Sequence, residues 1–239
     1  MTFIRVKYRL VGMLNGGGEK KLRFRDPERT RERLLQAGFR EVYRTGFQSA
    51  SIDTILAATN VTKGALYHHF DSKEDLGHAI IEEIIAKMTH DKWVLPLQQC
   101  KNPVDTLITI VQATSVRPAD VKGGCPLLNL AQEMSPLDEE FRTRLQRIFQ
   151  AWQKAIANAL RRGQSQGTVR RDLGPDETAG FLIAMYEGYV VLVKNAQDPR
   201  LWNVGIKNIV GWLKTLRAPR PLRRGAPRIP KAQRARQRQ

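Results

Sequence analysis

The run 60–76, NVTKGALYHHFDSKEDL, places two adjacent histidines, three acids, two lysines and a tyrosine within seventeen residues. His68 and His69, with Asp71, Glu74 and Asp75, could form a metal centre or an acid–base cluster. The same letters also suit the surface helix of a nucleic-acid reader. Spacing separates the two readings. Helical ligand pairs lie three or four residues apart, so that both side chains reach one ion, whereas neighbours diverge by about 100°. Four residues beyond His69 is Lys73, a cation, and four beyond His68 is Ser72. No metal or cofactor is therefore expected. Catalysis fares no better, because His78 and His90 have no partners at useful spacing. There is no GxSxG, and NGGGEKK (15–21) lacks the phosphate-loop spacing. An enzyme is not expected.

The elements that must position this run are short helices. Ser51 can cap a helix over 51–58 whose Ile52, Ile55 and Leu56 share a face. Thr59-Asn60-Val61 then breaks the chain, and Thr62 caps a second helix predicted over 62–70. Two helices joined by about three residues match the helix-turn-helix unit, whose second helix enters the major groove. On a helical wheel Leu66 and Phe70 mark the core side and His69 borders it. Gly64, Tyr67 and His68 face outward, with Lys63 and Ala65 at the edges. An outward Tyr67 can bond a phosphate, and Gly64 lets a duplex approach the backbone. Ser72-Lys73-Glu74-Asp75 resembles a capping box with Asp in place of Glu or Gln. Its free amides, with Lys73, would make a second phosphate contact.

The stretch TRERLLQAGFREVYRTGFQSASIDTILAATNVTKGALYHHFDSKEDL (30–76) resembles the DNA-binding domain of TetR-family transcriptional regulators. The likeness rests on TRERLL, the Gly46-Phe47 step, SIDTI and the TKGALYHHF-x-SKE-x-L pattern. It implies an all-α fold. An N-terminal three-helix helix-turn-helix domain would precede a larger C-terminal helical domain for ligand sensing and dimerisation. It also implies that Thr62, Lys63, Gly64, Tyr67 and His68 lie on double-stranded operator DNA, and that Lys73 holds a phosphate. Ala65 stands where some relatives carry a base-reading polar side chain, so readout leans on Lys63, His68 and the preceding helix, through Ser51 and Thr54.

The whole chain fits that plan. Its 239 residues carry a formal charge of +17, yet residues 1–25 and 217–239 hold 16 of the 40 basic residues and one of the 23 acids. The stretch between them has a net charge of +2. The Arg/Pro-rich tail (217–239) is expected to be disordered. The basic extension (1–25) is expected to be disordered too; it includes IRVKYRLV, the nearest thing to a strand pattern, and Met13 is an alternative start. Two cysteines, Cys100 and Cys125, suggest a reduced, cytoplasmic protein without a disulfide framework. No apolar run reaches the roughly 18 residues of a membrane span. Helices are predicted at 27–45, 51–58, 62–70, 72–95, 103–116, 125–134, 136–163, 175–196 and 199–216. Four of the starts put Asp, Asn or Ser before proline. The domains expected are 26–71 for DNA binding and 72–216 for effector binding and dimerisation.

In the sensing half the resemblance implies that the middle helices enclose an effector and that the last two pair across a homodimer. TAGFLIAMYEGYVVLVK is apolar most of the way round, so it should be buried on more than one side. Phe181, Ala184, Gly188, Leu192, Trp202, Ile209 and Trp212 are the expected interface, and a two-fold dimer suits a palindromic operator. Candidate pocket residues are Trp93, Leu97, Ile108, Val111, Cys125, Leu128, Leu130, Met134, Phe149, Trp152, Met185 and Tyr186. They suit a small, mainly apolar effector. Cys125, after two glycines and before Pro126, sits at a helix start that favours thiolate. It could be a buried spacer or a sensor of electrophiles. The reading that emerges is an effector-released repressor. The alternative is an architectural protein that binds DNA without sequence preference through its basic ends.

Overall fold

In a computed structural model the described residues are 26–114 and 121–219, so both basic ends, with the disorder and strand pattern expected there, lie outside them. Nine helices account for most of the described chain: α1 (Pro27–Thr45), α2 (Ile52–Thr59), α3 (Lys63–Tyr67), α4 (73–98), α5 (Pro103–Ala113), α6 (Pro126–Met134), α7 (Glu139–Ser165), α8 (Pro175–Ala196) and α9 (Arg200–Thr215).

Local chemistry sets the boundaries. Asp26 caps α1 by accepting from the Arg29 amide at 3.1 Å, Pro27 occupies the first turn, and Gly46 ends the helix at φ +86°. α3 is shorter than predicted: His68 to Phe70 fold back onto the Gly64 and Leu66 carbonyls as a turn. α7 starts three residues later than its predicted start at 136. The Leu137 and Asp138 amides still bond Met134, so Pro136 sits in a turn. Asp138, not Ser135, caps α7, accepting from the Glu140 and Phe141 amides at 2.8 and 2.9 Å.

α4 runs unbroken from beneath the recognition unit into the larger domain, beyond the expected end at 95. Its hydrogen bonding widens to a five-residue step over Ile80–Ile85 and His90–Val94. The second widening precedes Pro96, which lacks an N–H and crowds the carbonyl four residues earlier. There the Leu95 amide bonds the His90 carbonyl.

One contiguous core links the two halves. Leu34, Leu35, Phe47, Ile55, Leu66, Phe70 and Leu76 fill the head, and Trp93, Leu107, Val111, Trp152, Ile156 and Leu182 fill the larger domain. α7 packs against α4, α5, α6 and α8. After α9 the chain bonds back to the α7–α8 loop, with Ala218 N to Thr168 O and Arg170 N to Leu216 O, both at 3.0 Å.

α8 and α9 divide their apolar residues between two surfaces. Leu182, Tyr186 and Val193 on α8, and Trp202, Ile209 and Leu213 on α9, are buried within the subunit. Trp202 and Ile209 are therefore not on the exposed face where they were expected, being only 2% and 0% exposed. The Trp202 indole donates to the Thr114 carbonyl, which fixes it inward. Phe181, Ala184, Gly188 and Leu192 lie on the outer face. Trp212 is half-buried, its ring 5.1 Å from that of Phe181.

Candidate nucleic-acid interface

Ser51 caps α2 by accepting from the Thr54 amide at 3.4 Å, and Asn60 ends α2 in the left-handed region at φ 52°. Thr62 caps α3 by accepting from the Ala65 amide at 3.2 Å. Each capping hydroxyl uses a lone pair for the amide and keeps its own proton available to donate to a phosphate. Leu66 and Phe70 are 0% and 1% exposed and anchor α3 on the head core. Gly64, Tyr67 and His68 are then exposed together, as the wheel expects, Lys63 at the edge is exposed with them, and Tyr67 is 41% exposed despite its size. Thr54 and Thr62 share that exposure, while Ser51 and Ala65 are half-buried.

The two histidines separate. His68 is exposed; His69 is half-buried, and its pKa is lowered by burial, then by His68 and Arg31. His69 is thus held toward its neutral form, and the rings stand edge to face at 5.3 Å. Asp75 accepts from the amide of Asp71 at 3.1 Å, while Ser72 accepts from the amide of Asp75 at 3.0 Å. The return bond of the expected capping box thus falls on Asp71, one residue before the cap.

Lys73 is not a free-standing cation. Its Nζ donates to the Gln48 carbonyl at 3.0 Å and lies 5.0 Å from the centre of the Phe47 ring. An ammonium has three donors, so two remain for a phosphate. The part of Phe47 and Gln48 in holding Lys73 was not legible in the residue pattern, because they approach it only in the fold.

Nothing among the described residues requires position 64 to be glycine. A Cβ built there meets nothing within 4 Å, and its backbone is helical. Gly64→Ala is expected to leave the denaturation midpoint unchanged or raise it, since alanine is the better helix former by about 1 kcal/mol. Affinity for DNA should instead fall by roughly tenfold, about 1.4 kcal/mol. Paired denaturation and DNA-binding titrations check this split.

Two family models match the chain. The model described as bacterial regulatory proteins, tetR family, covers residues 34–80, and that described as tetracyclin repressor-like, C-terminal domain, covers residues 103–208. The HTH-type transcriptional repressor DhaR of Mycobacterium sp. (strain GP1) is 32% identical over 171 residues, 69% of this chain and 82% of that protein.

The chain belongs to the TetR family.

The transcriptional regulator AcuR of Cereibacter sphaeroides is 29% identical over 71% of this chain and 78% of its own. The crystal structure of a TetR regulator from Chloroflexus aurantiacus J-10-FL superposes with a TM-score of 0.72 at 26% identity, covering 82% of this chain and all of that one. Reduced NemR of Escherichia coli shares the fold, with a TM-score of 0.67 at 24% identity over 79% of this chain and 97% of that one. This TetR-family chain is a DNA-binding transcriptional regulator with a helix-turn-helix head and a helical C-terminal domain. Among the described residues, no helix is long and apolar enough to cross a membrane.

The expected pocket residues of this TetR-family domain fall largely into its core. Trp93, Leu97, Ile108, Val111, Met134, Trp152 and Tyr186 are buried, whereas Cys125, Leu128, Phe149 and Met185 keep partial exposure. Trp93, Trp152 and Tyr186 form an aromatic cluster with ring centres 4.8–6.0 Å apart, and Trp202 joins it at 5.3 Å from Tyr186. The cluster is less apolar than the sequence suggests. The Lys92 ammonium donates to the Tyr186 hydroxyl at 2.6 Å and lies over the Trp93 and Tyr186 rings. Trp152 Nε1 and Glu187 Oε2 are buried without a hydrogen-bond partner among the described residues.

Cys125 reverses an expectation. The Leu127 and Leu128 amides at the start of α6 do favour thiolate, but burial and the adjacent Glu187 carboxylate outweigh them and push the thiol up to about 12. Glu187 is itself held above the usual carboxylate range by burial, against the opposing pull of the Cys125 thiol and Lys92. Iodoacetamide at pH 7.5 should therefore leave Cys125 unmodified in the native protein and alkylate it in denaturant, as read by peptide mass. The thiol's contribution to stability is whole below about pH 9, its ordinary value, and declines as pH rises toward about 12.

Proposed function

We propose that the chain is a homodimeric repressor that holds a palindromic operator and releases it when a small molecule enters the C-terminal domain. The observation that carries the DNA half of this reading is the outward face of α3. Gly64, Tyr67 and His68 stand exposed over buried Leu66 and Phe70, and Lys73 opens the next helix with its ammonium on the Gln48 carbonyl. In this reading Thr62, Lys63, Gly64, Tyr67 and His68, with Ser51, Thr54 and Ala65 at the edge, meet the duplex, and Lys73 meets a phosphate. Residues 26–71 form the reading head, and 72–216 the sensing and dimerising part. The basic ends add contacts without sequence preference, and the protein works in the cytoplasm, where its DNA is.

The effector reading rests on the aromatic cluster. An apolar body would contact Trp93, Trp152 and Tyr186, and a polar group would partner Trp152 Nε1 or Glu187 Oε2. DhaR and NemR are named as repressors, which favours repression here. Release requires the ligand to favour a conformation whose two heads no longer match successive grooves.

Titration of the purified protein onto its own upstream region and onto scrambled DNA at physiological salt tests the regulator reading. A specific site should win by about 10³-fold or more, and a ratio near one rejects it in favour of an architectural protein. Tyr67→Ala and Lys73→Ala should weaken binding to both sequences alike, whereas Lys63→Ala or His68→Ala should also change the preference.

A further inference from the structure

α6 is tied to the reading head at both of its ends. Just before it, the Tyr43 hydroxyl of α1 donates to the Gly124 carbonyl at 2.8 Å. In its last turn, the Glu133 carboxylate accepts from two successive head amides, Phe47 N on Oε2 and Gln48 N on Oε1, each at 2.9 Å. A cavity of about 520 Å³ lies between these ties, lined in part by Tyr43, Gly46, Asn129 and Glu133.

The Glu133 tie is a built feature. Its two bonds are charge-assisted, one on each carboxylate oxygen, and so stronger than bonds between neutral groups. Gly46 precedes the clamped amides at φ +86°, and a Cβ there would come within 2.9 Å of a Glu133 oxygen. The backbone angle favours glycine at that place, and a Cβ there would push the Glu133 carboxylate away from the clamped amides.

The clamped residues are the platform of Lys73. Its ammonium bonds the Gln48 carbonyl and rests on the Phe47 ring. Gln48 is thus gripped on both sides, its N–H by the larger domain and its C=O by the lysine at the start of α4.

We propose that Glu133 is a positioning residue for operator binding, which sets the phosphate grip of Lys73 by clamping the Phe47–Gln48 backbone from the larger domain. A shift of α6 then reaches the DNA contact through three hydrogen bonds, without a change in α3. The proposal rests on the reading of Lys73 as a phosphate contact.

The test is operator binding by the full-length dimer across a salt series, for wild type, Lys73→Ala, Glu133→Gln and the double variant. Glu133→Gln keeps the shape but sets an amide donor against one of the head N–H groups. Wild-type affinity falls with salt in proportion to the phosphates neutralised. Lys73→Ala and Glu133→Gln should each weaken binding by roughly tenfold and lower the log–log slope by about one. The double variant should lose no more than Lys73→Ala alone, the mark of coupled residues. Glu133→Asp, shorter but still charged, should restore part of the slope, and serves if Glu133→Gln does not fold.

If Lys73→Ala lowers the slope while Glu133→Gln and Glu133→Asp both leave it at the wild-type value, the proposal fails and the phosphate reading stands. Independent, multiplying losses in the double variant overturn it too. An unchanged slope for Lys73→Ala overturns both.

Discussion

Replacing Phe181 and Leu192 together by glutamate is expected to yield a folded monomer that holds its operator at least about 100-fold more weakly than the wild type. Both side chains are large, apolar and on the outer face of α8, 54% and 56% exposed. Val191 on α8 and Val204 on α9 extend the apolar surface, at 39% and 50%. Gly188 and Gly211 are exposed helical glycines whose added Cβ would meet nothing within 4 Å, so nothing among the described residues explains them. A glycine within a helix costs about 1 kcal/mol relative to alanine, and close approach of a partner helix would offset that. Two glutamates on this face would bring four like charges together across a two-fold axis. Losing the second head removes the gain from linked binding, which runs to about 10²–10⁴-fold. Light scattering after size exclusion should show the mass of one chain, and denaturation should show an intact subunit. A variant that remains a dimer at micromolar concentration would place the interface elsewhere.

The second large effect is on stability. Phe141→Ala is expected to destabilise the fold by about 3–5 kcal/mol, lowering the melting temperature by roughly 6–20 °C. Phe141, in the first turn of α7, is 0% exposed and lies where the head meets the larger domain. Its ring centre is 4.6 Å from that of Phe47 and 4.7 Å from that of His78. A Cβ on Gly77 would come within 2.7 Å of it, so α4 is fitted closely to this ring. Truncation leaves a void that surrounding helices, anchored on both sides, fill only in part. Phe141→Leu should recover much of the loss. The ion pair that also bridges α1 and α4, Arg31 with Glu83 at 2.6 Å, has side chains 38% and 44% exposed. It should contribute no more than about 1 kcal/mol. Calorimetry on Phe141→Ala and Arg31→Ala would rank the two.

Much of the head was legible in its residues. Caps such as Asp26, Ser51, Thr62 and Ser72 act over three residues, and the amphipathic spacing of Leu66 and Phe70 acts over four. Local rules therefore placed α1 to α4 and pointed Gly64, Tyr67 and His68 outward. The same rules separated the two histidines. They were less reliable where two local signals competed. Ser135-Pro136 reads as a helix start, but the end of α6 keeps those residues in its own turn and Asp138 takes the capping role.

Other features depended on residues far apart in the chain. Helix-start geometry favours a thiolate at Cys125, but Glu187, sixty-two residues away, and the burial around both reverse the balance. Trp202 and Ile209 share an apolar pattern with Trp212, and only the packing of α9 shows which of them face inward. Glu133 reads as one polar residue on a short helix; its bonds to Phe47 and Gln48 span more than eighty positions.

By itself the sequence determined the all-α class, the helix-turn-helix and the face of α3 that points outward, because caps, glycines and helical periodicity act between near neighbours. The tertiary structure decided the ionisation of Cys125, the inner and outer residues of α8 and α9, and the clamp that joins α6 to Lys73. Burial and charge–charge interaction depend on distance through space, and no local spacing rule carries that distance.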